Sequence, residues 1–305
     1  MALLMACPFA ALGQESRPET PARSGPSSVP RTEIDGPAEI PDVMPEKRLD
    51  PIRPGLGPLT PEQHEEAERL RKLAAKYGID PTAIVGRVQF SSQYLNLPRG
   101  GHDVLSVARV DLPFQGNFLF RVDAPILKWK DSDRPATTTQ GVSDLAVLAG
   151  WRAYNTAEYA LFIGSLVTMP TATETSLGFG KYTVGPSLAM AWFIPQWESS
   201  LTGLFTQQVS VGGDPARKSV NLSKATSQII TFWPARWWST VQAVWQVDWE
   251  RSAKSSMLLE FELGRNVVGS WGVFIRPGVG IWGQDLIGAY DWNIESGIRY
   301  MFTSF

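Results

Sequence analysis

The stretch Asp144–Met169, DLAVLAGWRAYNTAEYALFIGSLVTM, reads as two strands joined by a tight turn. In the first, Leu145, Val147, Ala149 and Trp151 are apolar, while Asp144 and Arg152 fall on the other parity. In the second, Ala157, Tyr159, Leu161, Ile163, Val167 and Met169 share one face and Glu158 takes the opposite one. A period of two is the mark of a strand with one apolar and one polar face. It returns in WGVFIRPGVGI, where Trp271, Val273, Ile275, Val279 and Ile281 oppose Arg276. It returns again in DWNIESGIRYMF, where Trp292, Ile294, Ile298, Tyr300 and Phe302 oppose Asp291, Glu295 and Arg299.

Twelve such segments can be placed, near 84–97, 102–112, 117–130, 141–154, 156–170, 180–193, 196–210, 223–234, 237–250, 256–265, 270–282 and 287–302. The eighth is the least regular, because Ile229, Ile230, Phe232 and Trp233 do not sort by parity. Most of these segments far exceed the roughly 5 or 6 residues of an ordinary soluble strand, and they suit a tilted membrane strand of about 9–11 residues. Their connections alternate between long or polar (98–101, 131–140, 171–179, 211–222, 251–255, 283–286) and short. Outward-parity aromatics gather at the strand ends: Trp151, Tyr159, Trp192, Trp197, Trp237, Trp271 and Tyr300 beside the short turns, and Tyr94, Tyr182, Trp249 and Trp292 beside the long loops. Two aromatic girdles, short turns on one rim and long loops on the other are the marks of an outer-membrane barrel. The expected fold is all-β, a transmembrane antiparallel up-and-down barrel of about twelve strands over 84–305. Its partners would be outer-membrane lipids, and an even strand number puts both chain ends on the periplasmic side of a Gram-negative type outer membrane.

The polar parity would then line the lumen. It carries Arg87, Arg109, Asp111, Arg121, Asp123, Asp144, Arg152, Glu158, Lys181, Glu198, Asp248, Glu260, Glu262, Arg276, Asp291, Glu295 and Arg299. Lys128 and Arg265 fall on the outward parity near strand ends. A charge on the lipid face at mid-membrane costs about 2–4 kcal/mol for Arg or Lys, so this sorting is what a membrane strand requires. Acids exceed bases in the lumen set, which favours a cationic or neutral solute. The charges could instead pair with one another and close the interior.

The N-terminus has a short apolar core followed by Ala11-Leu12-Gly13, as a signal peptide over 1–13 would have. The basic region expected ahead of that core is missing, which suggests a start upstream of Met1. Leu4-Met5-Ala6-Cys7 also fits a lipobox, with Cys7 acylated. Residues 14–59 are rich in Pro, Ser and charge, have almost no aromatics, and are expected to be disordered. Then comes TPEQHEEAERLRKLAAKYGID, a helix over 60–79 with Thr60 as N-cap, Gln63 completing a capping box, Pro61 in the first turn and Gly78 at the end. Its apolar stripe (Ala67, Leu70, Leu73, Ala74, Tyr77) needs a partner surface. That surface is either a periplasmic partner or cell wall docking on helix 60–77, or the barrel lumen, which the helix would plug.

Other functions are poorly supported. A formal net charge of −2 supplies no basic field for nucleic acid, and a single cysteine excludes a disulfide framework or a multi-cysteine metal site. No cofactor or metal is expected. Gly180-Lys181 lacks the glycine five residues ahead and the Ser or Thr behind that a phosphate loop needs: Thr175 and Tyr182 stand there. His64 has no second histidine at zinc-motif spacing, and His102 beside Asp103 has no nucleophile elbow to serve. The expected protein is not an enzyme. Gly185-Pro186 lies inside the sixth strand, and a barrel strand has no free edge for proline; a bulge or kink is expected at Pro186.

The pairing of GVSDLAVLAGWRAY (141–154) with LVTMPTATETSLGFGKYTVGPSLAMAWF (166–193) resembles the outer-membrane barrel family known as the putative meta-pathway of phenol degradation. Its Gly-x-x-Asp strand, Pro-Thr loop, Leu-Gly-x-Gly-Lys segment and Gly-Pro strand match, although Ala172 stands where that family has glycine. The resemblance implies a transporter-like barrel for small, hydrophobic or aromatic solutes. The competing expectation is a closed structural barrel that displays loops and binds a partner or cell wall through its N-terminal arm.

Overall fold

The computed structural model describes residues 59–133, 136–286 and 288–302. The expected signal peptide at 1–13, Cys7 and the linker up to residue 58 lie outside the described residues, as does Phe305. One helix, α1 (Pro61–Tyr77), precedes β1 (Gly86–Asn96), β2 (His102–Phe114), β3 (Phe118–Asp133), β4 (Ala136–Gly141), β5 (Leu145–Asn155), β6 (Tyr159–Met169) and β7 (Lys181–Ile194). β8 (Ser199–Gly213), β9 (Asn221–Trp233), β10 (Trp237–Asp248), β11 (Lys254–Val268), β12 (Trp271–Trp282) and β13 (Trp292–Phe302) complete the sheet. All pairings are antiparallel, and β1 pairs with β13 from Gly86↔Phe302 to Asn96↔Trp292, which closes the sheet. β4 and β5 pair with opposite ends of β3, the first with Lys128–Asp133 and the second with Phe118–Asp123. The architecture is a twelve-stranded closed barrel with β4 as an extra short strand.

Hairpin turns on one rim are tight because residues there take positive φ: Gln115 and Gly116 (46° and 72°), and Ala235 and Arg236 (57° and 66°). Consecutive left-handed residues match the twist of a two-strand ribbon. The other rim carries the longer connections, including 170–180, 214–220 and 283–291.

Strand parity holds along most strands, as in β11, where buried and exposed residues alternate from Leu258 to Asn266. It reverses within β3. The β2–β3 register passes from Ser106↔Leu127 to Val107↔Pro125, leaving Ile126 as an extra residue. One inserted residue flips every side chain beyond it, so Trp129 is exposed outside while Lys128 lines the interior. The outward assignment of Lys128 by parity is therefore corrected.

Pro186 behaves differently from the bulge expected of it. It pairs in register with Ser165 of β6. Toward β8 the pairing lapses at Gly185-Pro186 and resumes at Ser187↔Thr206 without a shift, and the irregularity in register lies earlier, between Tyr182 and Thr183. The ladder tolerates the missing N–H because Gly185 lets the β8 backbone close in: a Cβ there would overlap the Gln207 carbonyl oxygen. Pro277 of β12 sits in a similar lapse, between Glu260↔Gly278 and Leu263↔Ile275.

Helix α1 forms as its caps dictate. Gln63 N donates to Thr60 Oγ1 at 3.3 Å, Thr60 N donates to Gln63 Oε1 at 3.0 Å, and Gly78 ends the helix at φ 67°. Its buried stripe, Ala67, Leu70, Leu73, Ala74 and Tyr77, packs on Ala160, Ala191, Phe193, Ile230, Phe232, Trp238 and Phe274. Those barrel residues are inward-facing and lie at the short-turn ends of β6, β7, β9, β10 and β12. Here is the reason β9 resists a parity reading. Ile229 and Trp233 are exposed outside while Ile230 and Phe232 are buried under the helix, so both faces are apolar. Burying each leucine contributes about 1.5–3 kcal/mol, and Tyr77 adds a stacked contact with Trp238 at 5.4 Å between centroids.

Replacing Gly185 by Ala is expected to destabilise the barrel by about 1–3 kcal/mol, the usual cost of overpacking. A lowered urea midpoint, read from the heat-modifiable gel mobility of the folded barrel, checks it; an unchanged midpoint would show that β8 shifts freely there.

Candidate functional site

The barrel encloses a chamber of about 600 Å³. One end is covered by the segment after α1, Gly78 to Pro81, and the other by the β12–β13 connection, which folds inward through Gly288, Ala289 and Tyr290. Leu286, Ala289 and Tyr290 pack there on Val244 and Leu258, and the Tyr290 hydroxyl donates to Glu260. A stopper at the short-turn end and an inward loop at the other thus bound the same space.

Of the charged residues on the inward parity, Arg87, Arg109, Arg121, Glu260, Glu262, Arg276, Glu295 and Arg299 line this chamber. Asp111 and Asp123 stand behind them as counterions. Asp111 meets Arg87 at 2.7 Å and Arg121 at 2.7 Å, and Asp123 meets Arg109 at 2.5 Å. On the adjoining strands β11 to β13, Arg276 bridges Glu262 and Glu295, and Arg299 Nη2 donates to Glu262 at 3.1 Å. Arg299 also lies over the rings of Phe274 (4.4 Å) and Trp238 (5.2 Å). Trp238 Nε1 donates to Glu262 at 2.8 Å, so one carboxylate gathers three donors' side chains. Buried carboxylates and guanidiniums persist only when paired in this way.

The other inward-parity charges sit at the rims or in loops and do not line the chamber. Asp144 holds the 170–180 loop, accepting from Ala172 N at 3.1 Å and Phe179 N at 2.5 Å. Arg217 clasps the same loop from the next one, donating to the carbonyls of Thr175, Gly178 and Phe179. Glu158 faces His64 of α1 at 3.8 Å, and Glu198 pairs with Arg69 of α1 at 2.6 Å. Arg152 lies on β5 near the short-turn rim with its Nε buried and unpartnered among the described residues. Asp248 closes β10 by accepting from Glu250 N at 3.1 Å. Asp291 joins β13 to its neighbours through its backbone, with its N–H to Asn96 O and its carbonyl receiving Gly280 N–H. Lys181 starts β7 at the long-loop rim.

Four chamber charges were not in the inward-parity set: Asp80, Asp103, Lys128 and Lys224. Lys128 was hidden by the bulge, Lys224 by the mixed parity of β9, Asp103 by its place at a loop edge, and Asp80 by lying before the first strand. Their inclusion changes the balance. Bases lining the chamber (Arg87, Arg109, Arg121, Lys128, Lys224, Arg276, Arg299) outnumber acids (Asp80, Asp103, Glu260, Glu262, Glu295). The acid excess that favoured a cationic solute came from residues outside the chamber. Neutral polar groups were also missed, since parity weighs charge: Gln89, Gln93, Gln228, Gln242, Thr202, Thr226 and Thr240 line it too.

The helix is tied to this network by its C-terminal end. Its terminal carbonyls accept from two chamber arginines, Tyr77 O and Gly78 O from Arg299 at 3.3 and 3.2 Å, and Gly78 O from Arg87 at 2.8 Å. A cation at a helix C-terminus is favoured by the macrodipole. Just beyond, burial pushes the Asp80 carboxyl above the usual carboxylate range, opposed by hydrogen bonds from Thr82 N and Oγ1.

On the outside, Trp151, Tyr159, Trp197, Trp237, Trp271 and Tyr300 are exposed toward the short-turn rim, and Tyr182, Trp249 and Trp292 toward the long-loop rim. Trp192 stacks on Tyr159 at 6.1 Å, and Tyr94 lies 5.3 Å from Trp292. Phenylalanines instead occupy mid-strand outward positions, as Phe90, Phe205 and Phe261 do.

No family model matches the chain, and no curated protein matches it in sequence. Among solved structures it is similar to an outer-membrane channel from Pseudomonas putida F1, with TM-score 0.54, 10% identity, and 73% of this chain and 97% of that chain covered. It is similar also to the NanC porin, with TM-score 0.50, 9% identity, and 70% and 98% covered. The fold is the closed barrel of outer-membrane channels. The resemblance to the phenol meta-pathway family is supported by none of these comparisons and rests on the motif residues alone.

Replacing Leu70, which is fully buried, by Asp should release α1, because an unpaired carboxylate would face Phe193 and Trp238 at a cost of several kcal/mol. Protease cleavage within 61–77 while the barrel keeps its heat-modifiable mobility is the expected outcome; continued protection of the helix would show that its apolar stripe does not hold it.

Proposed function

We propose that the protein is an outer-membrane channel for small solutes, not an enzyme, with α1 as a displaceable stopper. The observation that carries this reading is the chamber of about 600 Å³ between the helix and the inward loop, lined by charged, amide, hydroxyl and aliphatic side chains inside a barrel whose outer face is apolar. Phe at mid-strand and Trp or Tyr at the rims suit hydrocarbon and headgroup zones respectively, which supports placement in an outer membrane. Short turns and the N-terminal segment share one end of the barrel, and we assign that end to the periplasm, where a partner could draw α1 out. The wall also carries Leu95, Leu105, Val107, Leu204, Val244 and Leu258, an aliphatic share that suits the hydrophobic or aromatic solutes implied by the family resemblance, while the charged and amide groups suit hydrophilic ones.

The second reading is a closed structural barrel. Its support is the density of ties at the stopper, where Arg87, Arg299 and Glu198 all hold α1 or its end. Planar-bilayer conductance separates the two. The chain beginning at Asp80 is expected to conduct ions at least several-fold better than the whole chain, with both forms showing folded-barrel gel mobility. Silence from both forms overturns the channel and leaves the structural barrel.

A further inference from the structure

We propose that the chamber binds a small polyhydroxylated carboxylate, held by the Lys224 ammonium and the amide and hydroxyl side chains beside it. This deepens the channel reading and takes from it the premise that solutes reach the chamber.

Lys224 stands on the inward face of β9 with its side chain open to the chamber, and it makes no ion pair or hydrogen bond among the described residues. The other chamber cations differ: Arg87, Arg109, Arg121, Arg276 and Arg299 each hold a carboxylate, and Lys128 lies 3.8 Å from that of Asp103. The acids that act on Lys224 are Glu260 and Glu295. Both are engaged elsewhere, Glu260 by Gln242 and Tyr290 and Glu295 by Arg276 at 2.9 Å. An unpaired ammonium facing further cations, with the nearby acids already satisfied, is a site for an added anion.

The strand register places neutral hydrogen-bonding groups next to it. Thr206 and Gln246 flank Lys224, and one inward row further along lies Thr226, then Gln228 with Thr202 and Gln242 at its sides. Gln228 makes no hydrogen bond among the described residues, and Thr202 Oγ1 is buried without a partner. Such groups answer hydroxyls spaced along a short chain or ring. A volume of about 600 Å³ lies within the roughly 300–1,000 Å³ of small-ligand sites, large enough for a six-carbon solute.

Calorimetric titration of the whole chain in detergent micelles tests this, with gluconate, glucose and glucosamine as probes. Gluconate is expected to bind at least tenfold tighter than the other two, and Lys224→Gln to lose at least tenfold in gluconate affinity while Lys224→Arg retains it. Gluconate binding no tighter than glucose, or unchanged in Lys224→Gln, overturns the proposal. Should Lys224→Gln fail to fold, raising salt on the unaltered chain must weaken gluconate and spare glucose, and equal effects on both overturn it. Because the titration needs no conduction, a silent bilayer with gluconate bound removes the channel and keeps the site. A conducting barrel that ignores gluconate does the reverse.

Discussion

Closure of the sheet is the constraint on which the rest depends. Once β1 bonds to β13 over its whole length, only the short extra strand β4 keeps a free edge, and every residue of the barrel strands must point either in or out. A closed sheet of twelve strands turns its polar side chains to the interior and its apolar ones to the surface, except where the helix or the inward loop covers an apolar inward patch such as Phe193, Ile230 and Trp238. The interior then faces a problem a soluble core does not have: charges of both signs are brought together with little water. The Arg87–Asp111–Arg121 and Arg276–Glu262–Arg299 groupings are its solution. They tie neighbouring strands together by charge-assisted hydrogen bonds while leaving the chamber between the walls.

The twelve barrel strands and the two kinds of connection were legible in the sequence because alternation survives any register that closes the barrel, but β4 lies mostly in the 131–140 stretch expected to be a loop, and the last strand begins at Trp292 and not near 287. Parity failed where something local intervened. The extra residue at Ile126 turned Lys128 inward, a change visible only when two strands are laid side by side. Ile230 and Phe232 confused β9 because the surface they cover comes from α1, over 150 positions earlier in the chain. The caps of α1 were plain in Thr60, Gln63 and Gly78, yet its docking surface could not be read, since apolar inward residues are few on each strand and become a collar only after closure.

The chamber was less legible than the fold. Counting charges on one parity treats a strand as uniform along its length, whereas the two rims and the middle do different work. Asp144, Glu158, Glu198 and Asp248 share parity with chamber residues but serve loops, turns and the helix. Neutral amides and hydroxyls carry no charge to count, and several of them face the chamber.

The attachment of the α1 carbonyls to Arg87 and Arg299 makes stopper and chamber one thermodynamic system. Arg299 divides its donors between the helix end and Glu262, and Glu262 shares Arg276 with Glu295. Any occupant that draws one of these guanidiniums toward itself loosens the helix, and removal of the helix frees the same guanidiniums for an occupant. By linkage the two effects are equal in free energy, so whatever displaces the helix changes the affinity of the lumen by the same factor as an occupant changes the hold on the helix.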